Sequence, residues 1–279
     1  MTTTLRPTGP LQHEADGAQS RLYEVCVNSR PVGRIEIATF PALSATAGTI
    51  RSLNIDERDR RRGRGTVAAL AAEEVLRGWG CTQVQVAVPP EATAAARLAA
   101  ALGYVERGRN MLKELPDGPP ALPPDVASRP MSEAEFAQWR ATAVETYAQN
   151  WIDRGVPAAE ARAKSEAQHS ALLPDGLASP GIRLHVLERE GAVVGHVLVG
   201  GREVRPGETG AYVYDVEVVE GQRGRGHGRS LMLLAERVAL DAGLPLLGLH
   251  VFADNTPALR LYESLGYETT HINSFKQLI

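Results

Sequence analysis

The stretch Val218-Val-Glu-Gly-Gln-Arg-Gly-Arg-Gly-His-Gly-Arg229 decides how this chain is read. It follows an alternating run, Ala211 to Val219, and it precedes Leu231, Leu234, Ala235 and Val238, which share one face at helical spacing. The order is therefore strand, glycine turn, helix from about Gly228 to Leu240, with Gly243 placed to stop it. Backbone N–H groups in such a turn converge on an anion at the positive end of the helix, and the glycines allow a ligand to come close. Two familiar phosphate turns do not fit. A P-loop needs Gly-Lys-Ser/Thr, whereas Gly228 precedes Arg229-Ser230. A dinucleotide fingerprint needs a third glycine one place later and an acid on the next strand, and Gly248 to Val251 offers none.

Outward from the turn, Leu246 to Phe252 is an apolar run of strand length, and Asn255 caps a helix that runs through Leu265 and carries Tyr262. Upstream, Ile182–Leu187 and Ala192–Val199 read as strands joined at Glu190-Gly191, a hairpin signal. Further upstream, Ser132 to Asn150 opens as a Ser-x-x-Glu capping box with Glu135, and Ala158 to Leu172 is a second helical stretch.

The whole pattern occurs twice. Shifted by about 163 places, Ile55–Leu115 lies over Val218–Leu278 with roughly a third of the pairs identical. Arg60, Arg62, Gly63 and Gly65 meet Arg223, Arg225, Gly226 and Gly228; Glu73 meets Glu236, Tyr104 meets Tyr267 and Lys113 meets Lys276. Each copy is expected to hold strands, the turn, a helix, a strand, a second helix and a final strand pair. The first enters almost directly at Arg21–Val27 and Val32–Ile37 and is a shortened unit. Between the copies, Leu115-Pro-Asp-Gly-Pro-Pro-Ala-Leu-Pro-Pro-Asp125 is too rich in proline for helix or ladder. The expected organisation is a domain over residues 1–117, a linker over 118–128 and a complete domain over 129–279.

Composition narrows the classes. With 279 residues, 43% hydrophobic and 23% charged, the chain can bury two cores and is no disordered polymer. It shows no signal peptide, and no run approaches the roughly 18 apolar residues of a membrane span, so a cytoplasmic protein without a membrane partner is expected. Net charge of −3 gives no reason to expect nucleic acid as a partner. Cys26 and Cys81 lie far apart and outside any Cys/His cluster, so both read as core thiols, and no metal site is expected. Lysine occurs only at 113, 164 and 276, an arginine bias that fits a GC-rich bacterial genome.

The ordered set of Val218, Arg223-x-x-Gly226-x-Gly228, Asn255 and Tyr262 resembles the GNAT superfamily of N-acetyltransferases, over nearly all of residues 131–278 and more weakly over 21–115. The tandem arrangement is similar to mycothiol synthases, whose first half is usually more complete. The resemblance implies an α/β fold, two tandem mixed sheets in which the fourth and fifth strands splay apart, with acetyl-CoA as cosubstrate in the gap. It places the CoA pyrophosphate on the amides of Gly224, Arg225, Gly226, His227, Gly228 and Arg229, with charge from Arg223 and Arg225. Pantetheine would pair with the Val218 backbone, and Asn255 would bond its chain or serve simply as a helix cap. In the first copy Arg60, Gly63 and Gly65 keep the corresponding turn.

Acetyl transfer to an amine asks for a neutral nucleophile, stabilisation of the oxyanion and a proton for the departing thiolate. By the resemblance Tyr262 supplies that proton, with packing on a helix face as the alternative. Period two puts Asp215 and Glu217 on one face of their strand and Tyr212 and Tyr214 on the other, with His250 on the neighbouring strand. Glu217 and then His250 are the candidate bases. The first copy has Asn54, Ala87, Ala92 and Ala99 where the second has Glu217, His250, Asn255 and Tyr262. The expected function is an acetyl-CoA-dependent N-acetyltransferase acting on a small-molecule or peptide amine, with chemistry in the second domain. The alternative is a non-catalytic, two-lobed protein that binds or senses acyl-CoA. Glu145, Tyr147, Trp151 and Asp153 of the front extension fall on the acceptor side by the same analogy, or are core.

Overall fold

The computed structural model describes residues 2–278. In chain order its elements are β1 (Thr3–Pro7), β2 (Gln12–His13), β3 (Gln19–Val27), β4 (Arg30–Thr39), β5 (Ala47–Ile55), α1 (Arg64–Gly78), β6 (Gln83–Val88), α2 (Thr93–Ala101) and β7 (Val105–Glu114). They continue as β8 (Val126–Pro130), α3 (Glu133–Ile152), α4 (Ala158–Leu172), β9 (Ile182–Arg189), β10 (Ala192–Arg205), β11 (Glu208–Val218), α5 (His227–Asp241), β12 (Leu246–Phe252), α6 (Thr256–Ser264) and β13 (Glu268–Gln277). The hairpin expected at Glu190-Gly191 is present, with both residues at positive φ, +53° and +78°, as a two-residue turn between β9 and β10 requires.

Two compact units result, Met1–Arg107 with His271–Ile279, and Gly108–Thr270. In the first, the strand order is β1-β3-β4-β5-β6-β13, with β2 added to β3. In the second it is β7-β12-β11-β10-β9-β8. The closing strand of each sequence repeat therefore belongs to the other repeat's sheet. Ile272–Gln277 of β13 pairs with β6, and Gly108–Glu114 of β7 pairs with β12. This differs from the division at residues 118–128. The proline-rich run marks where the chain leaves β7, but nothing local reports which sheet receives that strand. Part of the expected linker is also strand, since Val126–Pro130 pairs with β9. Each repeat ends in one long strand in place of the expected pair, and β1 and β2 precede the strands expected first.

Each closing strand brings a lysine to a buried carboxylate. Lys276 Nζ lies 2.6 Å from Glu73 Oε2 in the first unit, where the Tyr104 hydroxyl donates to Glu73 at 3.0 Å. Lys113 Nζ lies 2.6 Å from Glu236 Oε1 in the second, with the Tyr267 ring 5.6 Å from the ammonium. Burial, then the carboxylate beside each ring, pushes both tyrosine hydroxyls well above their ordinary value.

Cys26 and Cys81 are buried free thiols in the first unit, as expected. Its core packs β3, β4 and β6 against Ala68, Ala72 and Leu76 of α1. In the second unit α5 covers one face of the sheet through Leu231, Leu234, Ala235 and Val238. The front extension, α3 and α4, covers the other, where Trp139 and Leu173 meet Leu184, Val186 and Leu198. Ser132 forms the expected capping box with Glu135. Among the described residues no helix is long and apolar enough to cross a membrane.

Candidate active site

In the second unit β11 and β12 run parallel but pair only at Ala211–Val213 with Leu247–Leu249. Beyond those positions β11 continues to Val218 and β12 to Phe252, so the strands diverge and leave a gap between the fourth and fifth strands of 129–279. The first unit repeats the geometry, with β5 and β6 paired only at Ala47–Thr49 with Gln83–Gln85.

The glycine turn lies at the end of β11. Gly226, at φ +84°, is the residue before α5, and Gly63, at φ +72°, stands in the same place before α1, a left-handed conformation that glycine adopts without a Cβ clash. The backbone N–H groups of Gly224 through Gly228 donate to no acceptor among the described residues, so five consecutive amides are left to the turn's open side. Arg223 Nε donates to the Val218 carbonyl at 3.3 Å, and Arg60 Nε to the Ile55 carbonyl at 2.8 Å; the repeated arginine thus braces the turn against the strand end. Arg225 bonds the Gln222 side chain and Arg229 the Ser264 hydroxyl. His227 is buried, and its Nε2 has no partner among the described residues. In the first unit the corresponding Arg64 is buried against Asp59, which also accepts from Arg30.

Tyr262 projects from α6 into the apolar side of the second unit, 7% exposed, its ring centroid 6.0 Å from that of Tyr267. Burial and then the negative charge of Asp215 push its hydroxyl up to about 12. Asn255 is exposed and its Oδ1 accepts from the Ala258 N–H, so it does cap α6. In the first unit Ala92 precedes α2 with no side-chain cap, and Ala99 packs into the core.

The faces of β11 differ from strict alternation. Leu198 opposes Asp215 while Val199 opposes Val213, so Tyr214 is the extra residue of a β-bulge. The bulge resets the period. Tyr214 packs with the α3 cluster, its ring 5.0 Å from that of Tyr212, and Asp215 is bonded to Trp139 of α3. The two tyrosines therefore share a face with Asp215 instead of lying opposite it, while Val216 and Val218 join Ala211 and Val213 against the α5 core.

The two candidate bases stand on the two strands that part, Glu217 on β11 and His250 on β12. Glu217 is exposed and lies 3.6 Å from Arg223, toward the turn. His250 is half-buried on β12 with its ring edge-on to Phe252 at 5.1 Å. The carboxylate whose charge acts on Tyr262 is Asp215. Its Oδ2 accepts from Trp139 Nε1 at 3.0 Å and lies 2.9 Å from His196 Nε2. Burial works against its charge, but the bonds from His196 and Trp139 outweigh it and hold Asp215 below its ordinary value. For His196 burial pulls down and the carboxylate pushes up more strongly. His196 and Trp139 escaped the sequence reading. No local signal marks them, since the β10–β11 register and the packing of α3 are what bring them to Asp215. In the front extension Trp151 is buried against Phe252 at 5.3 Å and Tyr147 contacts Trp151 and His169. Glu145 is exposed and paired with Arg162, and Asp153 accepts from Gln149.

A splayed parallel strand pair, a glycine turn before a helix and a buried tyrosine on the following helix define an acyl-transfer fold, and they occur here on a repeated unit. Residues 3–104 and 137–267 each match the acetyltransferase (GNAT) family, and the chain belongs to that family. It is similar to the uncharacterised N-acetyltransferase YycN of Bacillus subtilis, 30% identical over 151 residues, which are 53% of this chain and 96% of YycN. It is 29% identical over 284 residues to the mycothiol acetyltransferase of Nocardiopsis dassonvillei, spanning 92% of this chain and 81% of that protein. The crystal structure of a GCN5-related N-acetyltransferase from Sphaerobacter thermophilus shares the fold, with TM-score 0.59 and 20% identity over 92% of this chain and 80% of that one. The protein is an N-acetyltransferase with two GNAT repeats.

Proposed function

We propose that the second unit transfers acetyl from acetyl-CoA to a primary amine of a small molecule or peptide, and that the first unit is a non-catalytic lobe. The observation that carries this reading is the run of unpartnered amides, Gly224 to Gly228, at the end of β11 where it has parted from β12. A cradle of backbone N–H groups at a helix N-terminus fits a pyrophosphate. Gly224, Arg225, Gly226, His227, Gly228 and Arg229 would hold it, the Val218 backbone and Asn255 would bond the pantetheine chain, and Arg223 keeps the turn in place. Acetyl-CoA supplies the activated acyl thioester. The Tyr262 hydroxyl donates its proton to the departing thiolate, and Glu217, or failing it His250, takes the proton that the amine gives up. Arg60, Gly63 and Gly65 give the first unit the same phosphate-binding backbone, whereas Ala92 and Ala99 leave it without the amide and hydroxyl.

The experiment is free-thiol release from acetyl-CoA across a panel of primary amines, with the full chain and its Tyr262→Phe variant. Turnover on an amine class that falls by about 100-fold or more in the variant is expected. Turnover unchanged in Tyr262→Phe but abolished by Gly63→Ala would place the chemistry in the first unit. Acetyl-CoA binding without thiol release on any amine would favour the non-catalytic, acyl-CoA-sensing protein.

A further inference from the structure

The amide turn at the start of α5 and the hydroxyl of Tyr262 on α6 belong to different elements, and a closed set of contacts joins those elements. Leu261 of α6 lies against Gly228, where a Cβ would stand 3.2 Å from Leu261 Cδ2, so the helix approaches the turn about as closely as a glycine permits. Ser264 Oγ donates to the Leu261 carbonyl at 2.7 Å, and the same oxygen accepts from Arg229 Nη2 at 2.7 Å. Gly228 and Arg229 are neighbours in the chain, so the path Gly228, Leu261, Ser264, Arg229 returns to its start. Its apolar side sets the distance between the turn and α6. Its charge-assisted bond adds a second point of attachment and so fixes how α6 is rotated about the first.

The chain contains its own control. In the first unit the apolar contact remains, since a Cβ on Gly65 would stand 3.5 Å from Leu98 Cδ2, yet Thr66 and Ala101 occupy the places of Arg229 and Ser264. The bond is lost there together with the hydroxyl it would align, because Ala99 stands where the second unit has Tyr262. Packing of this helix on its turn therefore does not require the bond. Arg229 and Ser264 are both exposed, where such a bond adds little to stability, so folding gives no reason for it either.

Resting on the acetyl-transfer reading above, we propose that Arg229 and Ser264 form a strut that positions Tyr262 against the cosubstrate. The Arg229 amide belongs to the anion cradle, while its guanidinium ties that cradle to α6. Acetyl-CoA held at the turn and the hydroxyl held on α6 are thereby kept in one frame, with the proton within reach of the departing sulfur. Proton transfer depends steeply on that placement. Ser264 has no chemical step of its own and acts through Tyr262.

The test uses the full chain with acetyl-CoA and with spermidine and 2-phenylethylamine as amines, comparing wild type, Ser264→Ala and Ser264→Thr, which keeps the hydroxyl. Ser264→Ala is expected to lower kcat about tenfold while the KM for acetyl-CoA and the Kd for CoA change less than about twofold, and Ser264→Thr to restore most of kcat. In a Tyr262→Phe background the same alanine change is expected to cost less than about twofold, because no hydroxyl is left to align. An unchanged kcat in Ser264→Ala, or a tenfold loss that persists in the Tyr262→Phe background, overturns the strut and leaves acetyl transfer standing. A second readout needs no turnover. Hydrogen exchange of the α6 amides in the CoA complex is expected to be about fivefold faster in Ser264→Ala and close to wild type in Ser264→Thr, and equal exchange in all three proteins overturns the proposal. Faster α6 exchange in Ser264→Ala, with no thiol release by wild type on any amine, supports the strut and removes the acetyl-transfer reading.

Discussion

Lys113 Nζ lies 2.6 Å from Glu236 Oε1, joining side chains 123 positions apart. Glu236 is 2% exposed, on the buried face of α5, and its charge has no water to turn to. The lysine comes from β7, the closing strand of the first sequence repeat, yet it neutralises an acid of the second. Lys276 on β13 does the same for Glu73 on α1, again at 2.6 Å. Two of the chain's three lysines are thus spent on the two exchanged strands.

Replacing Lys113 by Met should destabilise the second unit by about 3 kcal/mol, because a buried carboxylate is left without its counter-charge. The double variant Lys113→Met with Glu236→Gln removes the orphaned charge and should recover part of that loss. Urea denaturation of the three proteins measures it. Equal stability of Lys113→Met and wild type would mean that Glu236 finds another partner or takes up a proton.

Deleting residues 271–279 removes from the first unit the strand paired with β6 and the ammonium paired with Glu73. The first unit should become protease-sensitive while β7 to β12 of the second stay protected in hydrogen exchange. A fragment of residues 118–279 lacks β7 and should fail to form a stable second unit. Cooperative unfolding of that fragment would show that β7 is dispensable.

What could be read from the sequence was local. The turn at 223–228, the helix face of Leu231 to Val238 and the hairpin at Glu190-Gly191 depend on neighbours a few places away, and the repeat is a comparison of the chain with itself. The exchange of β7 and β13 is invisible at that range, because Lys113 and Lys276 match each other in the alignment whichever sheet takes their strands. The bulge at Tyr214 is likewise a matter of register between β10 and β11, and without it period two places the tyrosines on the wrong face. Period two therefore presents Asp215 only as a polar strand residue, and its bonds to Trp139 and His196 come from two other elements.

The same bonds make stability depend on pH. The His196 pKa is raised in the fold, so its contribution is fully present below its ordinary value of 6.5 and is lost as pH rises through the folded value. The Asp215 pKa is lowered, so its contribution is present above its ordinary 3.8 and is lost as pH falls through the folded value. The stability advantage of wild type over His196→Gln should accordingly be largest between about pH 4 and pH 6.5 and shrink toward pH 8. Thermal melts of both proteins across that range test this, and an advantage that grows with pH would contradict the pairing.

Tyr262 gives the last expectation, and it separates burial from chemistry. With its hydroxyl pushed up to about 12, Tyr262 stays protonated throughout the range in which the enzyme can be assayed. An acid that never loses its proton leaves no limb in a pH profile, so the ratio of kcat between wild type and Tyr262→Phe should be constant from about pH 7 to pH 10. An ordinary phenol near 10 would instead make that ratio fall as the hydroxyl ionises. Burial sets the first behaviour and Asp215 adds to it, so Asp215→Asn should leave the ratio flat and not create an alkaline limb. A wild-type limb near pH 10 that disappears in Tyr262→Phe would show that the hydroxyl is solvated during turnover and that the apolar packing around α6 opens when substrate binds.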